Sequence, residues 1–181
     1  MKRFNILKTT LSLILIIAIT AGLTGCGIIQ SLKAKEIEEE NEILKNKILV
    51  LELSNAYSEI RRLVTTMCLF ASFNDPKRIE SFLSDAESAY DSGLNVLDEY
   101  ESNIKNGNLD EAPKKDELAR LNELKRLFTL YKSDVFDPVY EMAHDGDSES
   151  ALAYMSDGIP LALDLKSAID YLIKTFDDDS L

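Results

Sequence analysis

Apolar residues recur with helical spacing along almost the whole chain after residue 28. From residue 28 to residue 73 the sequence holds neither glycine nor proline, and apolar side chains follow one another at alternating intervals of three and four. This spacing predicts one long first helix with a heptad seam, in which Asn46 is the one polar position. The predicted seam comprises Ile43, Val50, Leu53, Tyr57, Ile60, Val64, Met67 and Ala71.

The same spacing predicts three more helices, separated by turn signals. Asp75 and Pro76 suit the cap and the first turn of the second helix, and Gly107 suits its end. No stretch alternates with period two over a useful length, so no strands are expected. Because the connections are short, consecutive helices should be antiparallel neighbours. The pattern therefore predicts an all-α fold, an up-down-up-down antiparallel four-helix bundle with an extended first helix.

Proline and glycine predict local irregularities in the last two of these helices. The third helix is expected to restart after Pro113, and Pro138 is expected to kink it or to end a turn. The fourth helix is expected to start near Ser148. Gly158 and Pro160 fall inside it and predict an irregularity about three turns from its start.

The first residues predict attachment to a membrane. Lys2, Arg3 and Lys8 precede an uncharged stretch from Thr9 to Ile29, about 20 residues that can span a bilayer at about 1.5 Å per residue. In one interpretation this stretch is an uncleaved anchor, with its basic end on the cytoplasmic side. In both this interpretation and the one that follows, the rest of the chain is expected outside the cytoplasm.

A bacterial lipoprotein signal is the second interpretation of the same segment. Leu23-Thr24-Gly25-Cys26 looks like a lipobox, in which the signal peptide is cut before a cysteine that is then acylated. Cys26 is therefore the candidate lipidation site. Cys68 lies among apolar residues of a predicted helix and is interpreted as a small core residue, with no bridge to Cys26.

The net charge of the chain limits the classes of partner that it can bind. The 181 residues include 20 Lys and Arg against 32 Asp and Glu, a net charge of −12. All three charges before Cys26 are basic, so the remainder is more negative still. Nucleic acid is consequently not expected as a partner. The expected layout is a signal peptide or anchor over 1–25, a helical stalk over 26–46, the bundle over 47–176 and an acidic tail over 177–181.

Taken together, these features resemble the four-helix-bundle sensor domain of bacterial methyl-accepting chemotaxis receptors. The resemblance covers nearly the whole chain. It rests on the basic and apolar N-terminus, the Leu-rich third helix with Tyr131, and four short segments: Tyr57-Ser58-Glu59-Ile60-Arg61-Arg62, Asn74-Asp75-Pro76, Leu97-Asp98-Glu99-Tyr100 and His144-Asp145-Gly146. It implies a sensor that binds a ligand or docks to a receptor in signal transduction.

One departure from that family stands at the end of the sequence. A receptor of this kind continues into a second membrane span, a HAMP linker and a signalling hairpin, whereas three aspartates follow Phe176 and cannot start a span. The chain is therefore expected to carry the sensor without the transmitter. Two alternatives stay open: an envelope lipoprotein with a structural or interaction role and no small ligand, and a truncated receptor remnant.

Binding is expected rather than catalysis. The sequence has one histidine and no HExxH, GxSxG, CxxC or Gly-rich phosphate loop, so no catalytic residues, metal ligands or cofactor are predicted. Some receptors of the resembling family bind ligands through arginines of the first helix, which points to Arg61 and Arg62. The fourth helix is expected to complete the site from Tyr154, Asp157 or a gap at Gly158.

The ligand and partners follow from the same residues. An arginine can hold a carboxylate bidentately, so the expected ligand is anionic or zwitterionic, with Asp157 available for an amino group. The long first helix exceeds its neighbours and needs a cover for its lower half. The predicted partners are therefore the membrane through the N-terminal segment and either a second copy or a membrane receptor.

Overall fold

The computed structural model describes residue 37, residues 41–107 and residues 111–178, with side chains up to residue 176. Within these ranges the chain is helical and has no strands, which confirms the predicted all-α class. The described residues from Ile43 onward belong to one compact unit. The predicted leader or anchor, Cys26 and all but the last residues of the predicted stalk lie outside the described residues.

Six α-helices and one π-helical segment make up the described residues. The first helix, α1, covers residues 41–71. The others are α2 (Pro76–Asn106), α3 (Glu111–Tyr131), the π segment (Lys132–Phe136), α4 (Asp137–His144), α5 (Ser148–Asp157) and α6 (Ile159–Asp178). None of these helices is both long enough and apolar enough to cross a membrane.

Side-chain caps fix the starts of α2 and α5. Asp75 accepts a hydrogen bond from the backbone N–H of Arg78 at 3.2 Å, and Pro76 occupies the first turn of α2. Asp147 accepts from the N–H of Ser150 at 3.0 Å in the same way. Each carboxylate satisfies an amide that the first turn of a helix leaves unpaired. Both starts lie where the sequence predicts them.

The third helix starts earlier than predicted and is interrupted before Pro138. Glu111 begins α3, so Pro113 lies within the first turn, where its missing N–H costs nothing. Pro138 cannot donate to residue 134, and the preceding turn widens to a π-helix in which the N–H of Asp137 bonds the carbonyl of Lys132. The interruption expected at Pro138 is thus a π segment between α3 and α4.

The fourth helix breaks at Gly158 into α5 and α6, as predicted. Helix α6 continues through Asp178 and so includes the first two residues of the expected acidic tail. The last residues of that tail, 179–181, lie outside the described residues.

The helices enclose a single apolar core. The seam predicted on α1 is buried from Val50 to Ala71, whereas Ile43 is 41% exposed. Asn103, near the end of α2, donates from Nδ2 to Oδ1 of Asn46 at 2.9 Å. Ile43 precedes Asn46 on α1 and therefore lies beyond most of the packing between α1 and α2. The largest fully buried side chains are Tyr100, Phe128, Phe136, Leu53, Ile60, Leu63, Met67, Ile79, Leu97, Ile104, Leu121 and Leu124.

Helices α1 and α2 run antiparallel. Asn46, near the start of α1, contacts Asn103 near the end of α2, and Phe70 near the end of α1 meets Phe82 near the start of α2. Contacts also join α2 to α3 and α4, and α3 to α6. The described residues are therefore bundle-like in their packing.

Candidate functional site

Two contacts set the register between α1 and the last two helices. The hydroxyl of Tyr57 donates to the carbonyl of Ala162 at 2.5 Å, and the hydroxyl of Thr65 lies 3.7 Å from the sulfur of Met155. Residues 57–65 of α1 thus run past residues 162–155 in the opposite direction. Arg61 and Arg62 lie between these two contacts along α1.

A groove of about 450 Å³ follows this junction on the surface. It is formed by one face of α1 and one face of α6, and it carries three cationic side chains and one carboxylate. Its lining residues are Ser54, Tyr57, Ser58, Arg61, Arg62, Thr65, Thr66, Lys166, Ile169 and Asp170. The groove is therefore a locally positive and hydroxyl-rich surface on a chain whose net charge is −12.

Arg61 is the cation of this groove that has no carboxylate ion pair among the described residues. Its guanidinium carbon lies 5.8 Å from the ring centroid of Tyr57, a core side chain that is only 3% exposed. Arginine and an aromatic face attract one another at this distance. The guanidinium group of Arg61 therefore contacts the Tyr57 ring and also lines the groove, where its N–H donors can reach a ligand.

The side chains packed against Arg61 on its core side are aromatic and uncharged. Tyr57 meets Tyr131 edge to face, with ring centroids 5.7 Å apart. Burial raises the pKa of Tyr57, and the nearby positive charge of Arg61 offsets only part of that effect. Burial likewise raises the pKa of Tyr131. Both phenols therefore stay protonated at neutral pH, and neither competes for Arg61 as an anion.

Arg62 is held differently although it is adjacent in sequence. Its Nε and Nη2 atoms contact the two carboxylate oxygens of Glu59 at 2.8 Å and 2.5 Å. These hydrogen bonds lower the pKa of Glu59. Arg126 and Glu123 repeat the same geometry on α3, at 2.8 Å and 2.6 Å. The charge of Arg62 is thus already balanced within its own helix.

The α6 side of the groove carries Lys166 and Asp170, which form an ion pair one helical turn apart. The sequence analysis did not predict either residue, because it expected the partner side chains earlier on the fourth helix, at Tyr154, Asp157 and Gly158. Their spacing is a detectable signal, since residues four apart lie on one helical face. That face is also the one that presents Ala162 and Ile169 toward α1.

The three residues predicted on the fourth helix do not line this groove. Tyr154 and Asp157 are exposed elsewhere on α5. A Cβ atom on Gly158 would lie 2.6 Å and 2.8 Å from the two methyl carbons of Val135. The predicted gap at Gly158 is therefore wrong, because the side chain of Val135 in the π segment occupies that space. The structure brings Arg61 and Arg62 together with Lys166 and Asp170 instead.

A second hollow of about 650 Å³ has the opposite character. It lies along α2 and is lined by the carboxylates Glu87, Asp91 and Glu99 among serines and Asn95. An anion would be repelled there and attracted to the groove between α1 and α6. No cluster of His, Cys, Asp and Glu suited to a metal ion occurs in the part of the chain that the structure describes.

The groove offers binding groups rather than reactive ones. The guanidinium of Arg61, an ammonium group, a carboxylate and four serine and threonine hydroxyls can hold a small ligand through charge-assisted and neutral hydrogen bonds. Comparisons of this chain with protein-family models, with curated proteins and with solved structures found no match.

Proposed function

We propose that the chain is a membrane-anchored, extracytoplasmic sensor-like module of the chemoreceptor type. It binds a small anionic or zwitterionic ligand in the groove between α1 and α6 and transmits the ligand-bound state to a partner protein. The observation that carries this proposal is Arg61, a guanidinium without a carboxylate partner among the described residues, placed over Tyr57 in a positive groove. Membrane attachment would come from the N-terminal segment or from acylated Cys26.

The proposed architecture is an up-down-up-down antiparallel four-helix bundle. Its third helix would comprise α3, the π segment and α4, and its fourth would comprise α5 and α6. The antiparallel pairing of α1 with α2 supports this arrangement, as do the contacts of α2 with α3, of α3 with α6 and of α6 with α1. In such a bundle each helix contacts two neighbours around one core.

The groove chemistry supports the ligand class. A carboxylate can form two parallel hydrogen bonds with Arg61, and the hydroxyls of Ser58 and Thr65 lie one turn away on either side. Lys166 and Asp170 pair with each other in the groove, and a ligand's second carboxylate or ammonium group would have to replace one partner of that pair. The best fits are therefore an amino acid or a small dicarboxylate.

The overall negative charge does not prevent anion binding at this place. At physiological ionic strength, charges more than about 8 Å apart are largely screened by salt. A bidentate contact to Arg61 acts over a much shorter distance than this screening length, and the partly enclosed groove reduces its screening by salt. Local charge consequently decides the binding, whereas the net charge opposes the approach of an anion at low salt.

A thermal-shift screen of the full chain tests this proposal. Amino acids, dicarboxylates and amines without a carboxylate form the panel, and a ligand that binds only the folded state raises the melting temperature. We expect a rise with at least one carboxylate and none with the amines. Arg61→Gln should abolish that rise, whereas Arg120→Gln should retain it.

Arg120 is the matched control because it also lies over a tyrosine but outside the groove. Its guanidinium carbon is 4.9 Å from the ring centroid of Tyr171, and it donates to that hydroxyl at 2.7 Å. If no compound raises the melting temperature, or if Arg61→Gln responds as the wild type does, the ligand-binding proposal fails.

The alternative is an envelope lipoprotein that acts by contact alone. The end of α1 and the turn after it favour this alternative, because Leu69 and Phe73 expose large apolar surfaces there. Exposed apolar groups that lie close together are typical of contact sites between proteins. Under this alternative, Phe73→Ser and Leu69→Ser would reduce retention of the chain by a membrane-embedded partner, and the Arg61→Gln variant would behave as the wild type.

A further inference from the structure

Helix α5 contacts the core through few apolar side chains. Ala151 is its fully buried residue, and Met155, one turn later, is partly buried and packs against the core. Three other residues of this short helix, Leu152, Tyr154 and Ser156, are exposed. A chemical change at the side chain of Met155 therefore acts directly on the attachment of α5 to the rest of the bundle.

The sulfur of Met155 lies at the boundary between the core and the surface. Its Sδ atom is 3.7 Å from the hydroxyl oxygen of Thr65, an exposed residue, and 3.9 Å from Sγ of the fully buried Cys68. Both of these residues belong to α1 and stand three positions apart, on one helical face. The side of the sulfur next to Thr65 is consequently the one nearer to solvent.

The hydroxyl of Thr65 has one proton and two acceptors within reach. It donates to the carbonyl of Arg61 at 2.9 Å, and the sulfur of Met155 is the more distant second acceptor. A thioether sulfur is a weak acceptor, so the carbonyl holds the proton while Met155 is reduced. A sulfoxide is polar, and its oxygen would compete with the carbonyl for the same proton.

We propose that Met155 is a site of reversible oxidation by hydroperoxides, and that its sulfoxide loosens α5 from α1. A thioether reacts without losing a proton, whereas the neighbouring thiol of Cys68 reacts only as the thiolate. The new oxygen is added on the Thr65 side, where the Thr65 hydroxyl can donate to it. The contact with the core weakens, because an apolar side chain has become a polar one.

The reaction transfers one oxygen atom from the oxidant to the sulfur. A lone pair of the Met155 sulfur attacks one oxygen of hydrogen peroxide, and the O–O bond breaks as the S–O bond forms. The proton of the transferred oxygen passes to the departing hydroxide, which leaves as water. The sulfur is oxidised by two electrons and the peroxide is reduced by two. Methionine sulfoxide reductases reverse this change, each acting on one epimer of the sulfoxide.

The other described methionines provide internal comparisons. Met67 on α1 is 0% exposed and should stay reduced while the protein is folded. Met142 on α4 is partly buried and packs against the core, as Met155 does. It is the matched control, because its oxidation leaves the contacts of Met155 with Thr65 and Cys68 unchanged.

Peroxide treatment of the full chain in a mild nonionic detergent tests the proposal. Peptide mass spectrometry should find about 16 Da added to Met155 of the folded protein. The melting temperature should fall by about 3–6 °C, and the two reductases together should restore it. Most of this fall should be absent in Met155→Leu, a nearly isosteric change, and retained in Met142→Leu.

Two threonine variants test the direction of the added oxygen. Thr65→Val should deepen the fall in melting temperature on oxidation, because the sulfoxide oxygen loses its donor. Thr66→Val is the matched control. Thr66 donates to the carbonyl of Arg62 at 2.7 Å in the same way but is not a partner of the Met155 sulfur, so its fall should equal that of the wild type. A Thr65→Val response equal to that of the wild type would overturn the assigned direction.

Three further outcomes overturn the proposal itself. The first is a Met155 that stays unmodified in the folded protein at a peroxide concentration that oxidises it in urea. The second is a melting temperature that does not change when Met155 is oxidised. The third is an equal fall in Met155→Leu and in the wild type. All melting curves are recorded without a carboxylate, so the result is independent of the proposed ligand binding.

Discussion

Arg61 and Arg62 show how a shift of one position along a helix decides whether an arginine has a carboxylate partner. Arg62 stands three residues after Glu59, so both side chains share one helical face and pair. Arg61 stands four residues after Tyr57 and meets an aromatic ring instead. Neighbouring residues of the same type therefore differ in what they can offer a ligand.

Cys68 is expected to be an unreactive thiol in the native protein. It is fully buried beside Met155, with 3.9 Å between the sulfurs, and burial raises its pKa to about 11. Since the thiolate is the reactive form, a thiol reagent at pH 8 should label native Cys68 extremely slowly. The measurement uses Cys26→Ala, in which Cys68 is the sole cysteine. Rapid labelling without denaturant, at the rate seen in urea, would show that this part of the core is open.

Glu101 predicts a loss of stability in acid. Hydrogen bonds from Lys105 and Lys125 lower its pKa from 4.5 to about 2. The unfolded chain therefore takes up a proton at a pH where the folded chain does not. The stabilisation is complete above about pH 4.5 and is lost as the pH falls toward about 2.

Urea unfolding at pH 6 and pH 3 checks this expectation. Glu101→Gln should be less stable than the wild type at pH 6, and that difference should shrink at pH 3. Glu141→Gln, an exposed change on α4, should show no such dependence. A difference between Glu101→Gln and the wild type that is equal at both pH values would exclude an electrostatic contribution from this carboxylate.

At the scale of the elements, the π segment and the break at Gly158 belong together. Lys132–Phe136 widens the helix before Pro138, and its Val135 packs where α5 gives way to α6 at Gly158. Each irregularity has a local cause in its own sequence, a proline in one helix and a glycine in the other. The contact between the π segment and the break at Gly158 depends on how the two helices pack against each other, and neither local sequence alone determines it.

Gly158→Ala should destabilise the protein by about 1–3 kcal/mol, since a new Cβ would lie 2.6 Å from a methyl carbon of Val135 and overpack that contact. Gly93→Ala should behave similarly, because its Cβ would lie 2.5 Å from the buried ring of Phe128. Ser156→Ala, an exposed change on α5, is the control and should be nearly neutral. Chemical denaturation measures all three. Wild-type stability in both glycine variants would mean that neither glycine is needed for close packing.

The starts of α2 and α5 were readable from the sequence because they depend on neighbouring residues. The carboxylates of Asp75 and Asp147 cap the amides three positions on, a relation that spacing alone reveals. The role of Gly158 was not readable in this way. Whether a missing side chain leaves a gap depends on what another helix places there, and here that is Val135.

At the scale of the whole molecule, the core seam of α1 should decide stability. Ile60 and Val64 are 2% and 1% exposed, so aspartate at either position buries an unpaired charge. Either substitution should cost several kcal/mol of unfolding free energy. Chemical denaturation followed by far-UV circular dichroism measures it. If both variants were as stable as the wild type, this face of α1 could not be the core.

The candidate site was predictable on one side only. Apolar spacing and the basic pair point to Arg61 and Arg62 on α1, and both line the groove. The opposite side requires the register between α1 and α6, which the contact of Tyr57 with Ala162 sets. That register brings Lys166 and Asp170 to the groove and leaves Tyr154 and Asp157 elsewhere. Register between distant helices depends on many side chains at once, so no single motif encodes it.

The central claim is that Arg61, and not its neighbour, holds the ligand in the groove. Calorimetry with the carboxylate that gives the largest thermal shift tests it on the full chain, comparing wild type, Arg61→Gln and Arg62→Gln. Arg61→Gln should weaken binding by about 10–100-fold, because a charge-assisted hydrogen bond contributes roughly 1.5–3 kcal/mol. Arg62→Gln should change the affinity by only a few-fold, since Glu59 already pairs with Arg62. Equal affinities in all three proteins, or a loss in Arg62→Gln alone, would contradict the claim.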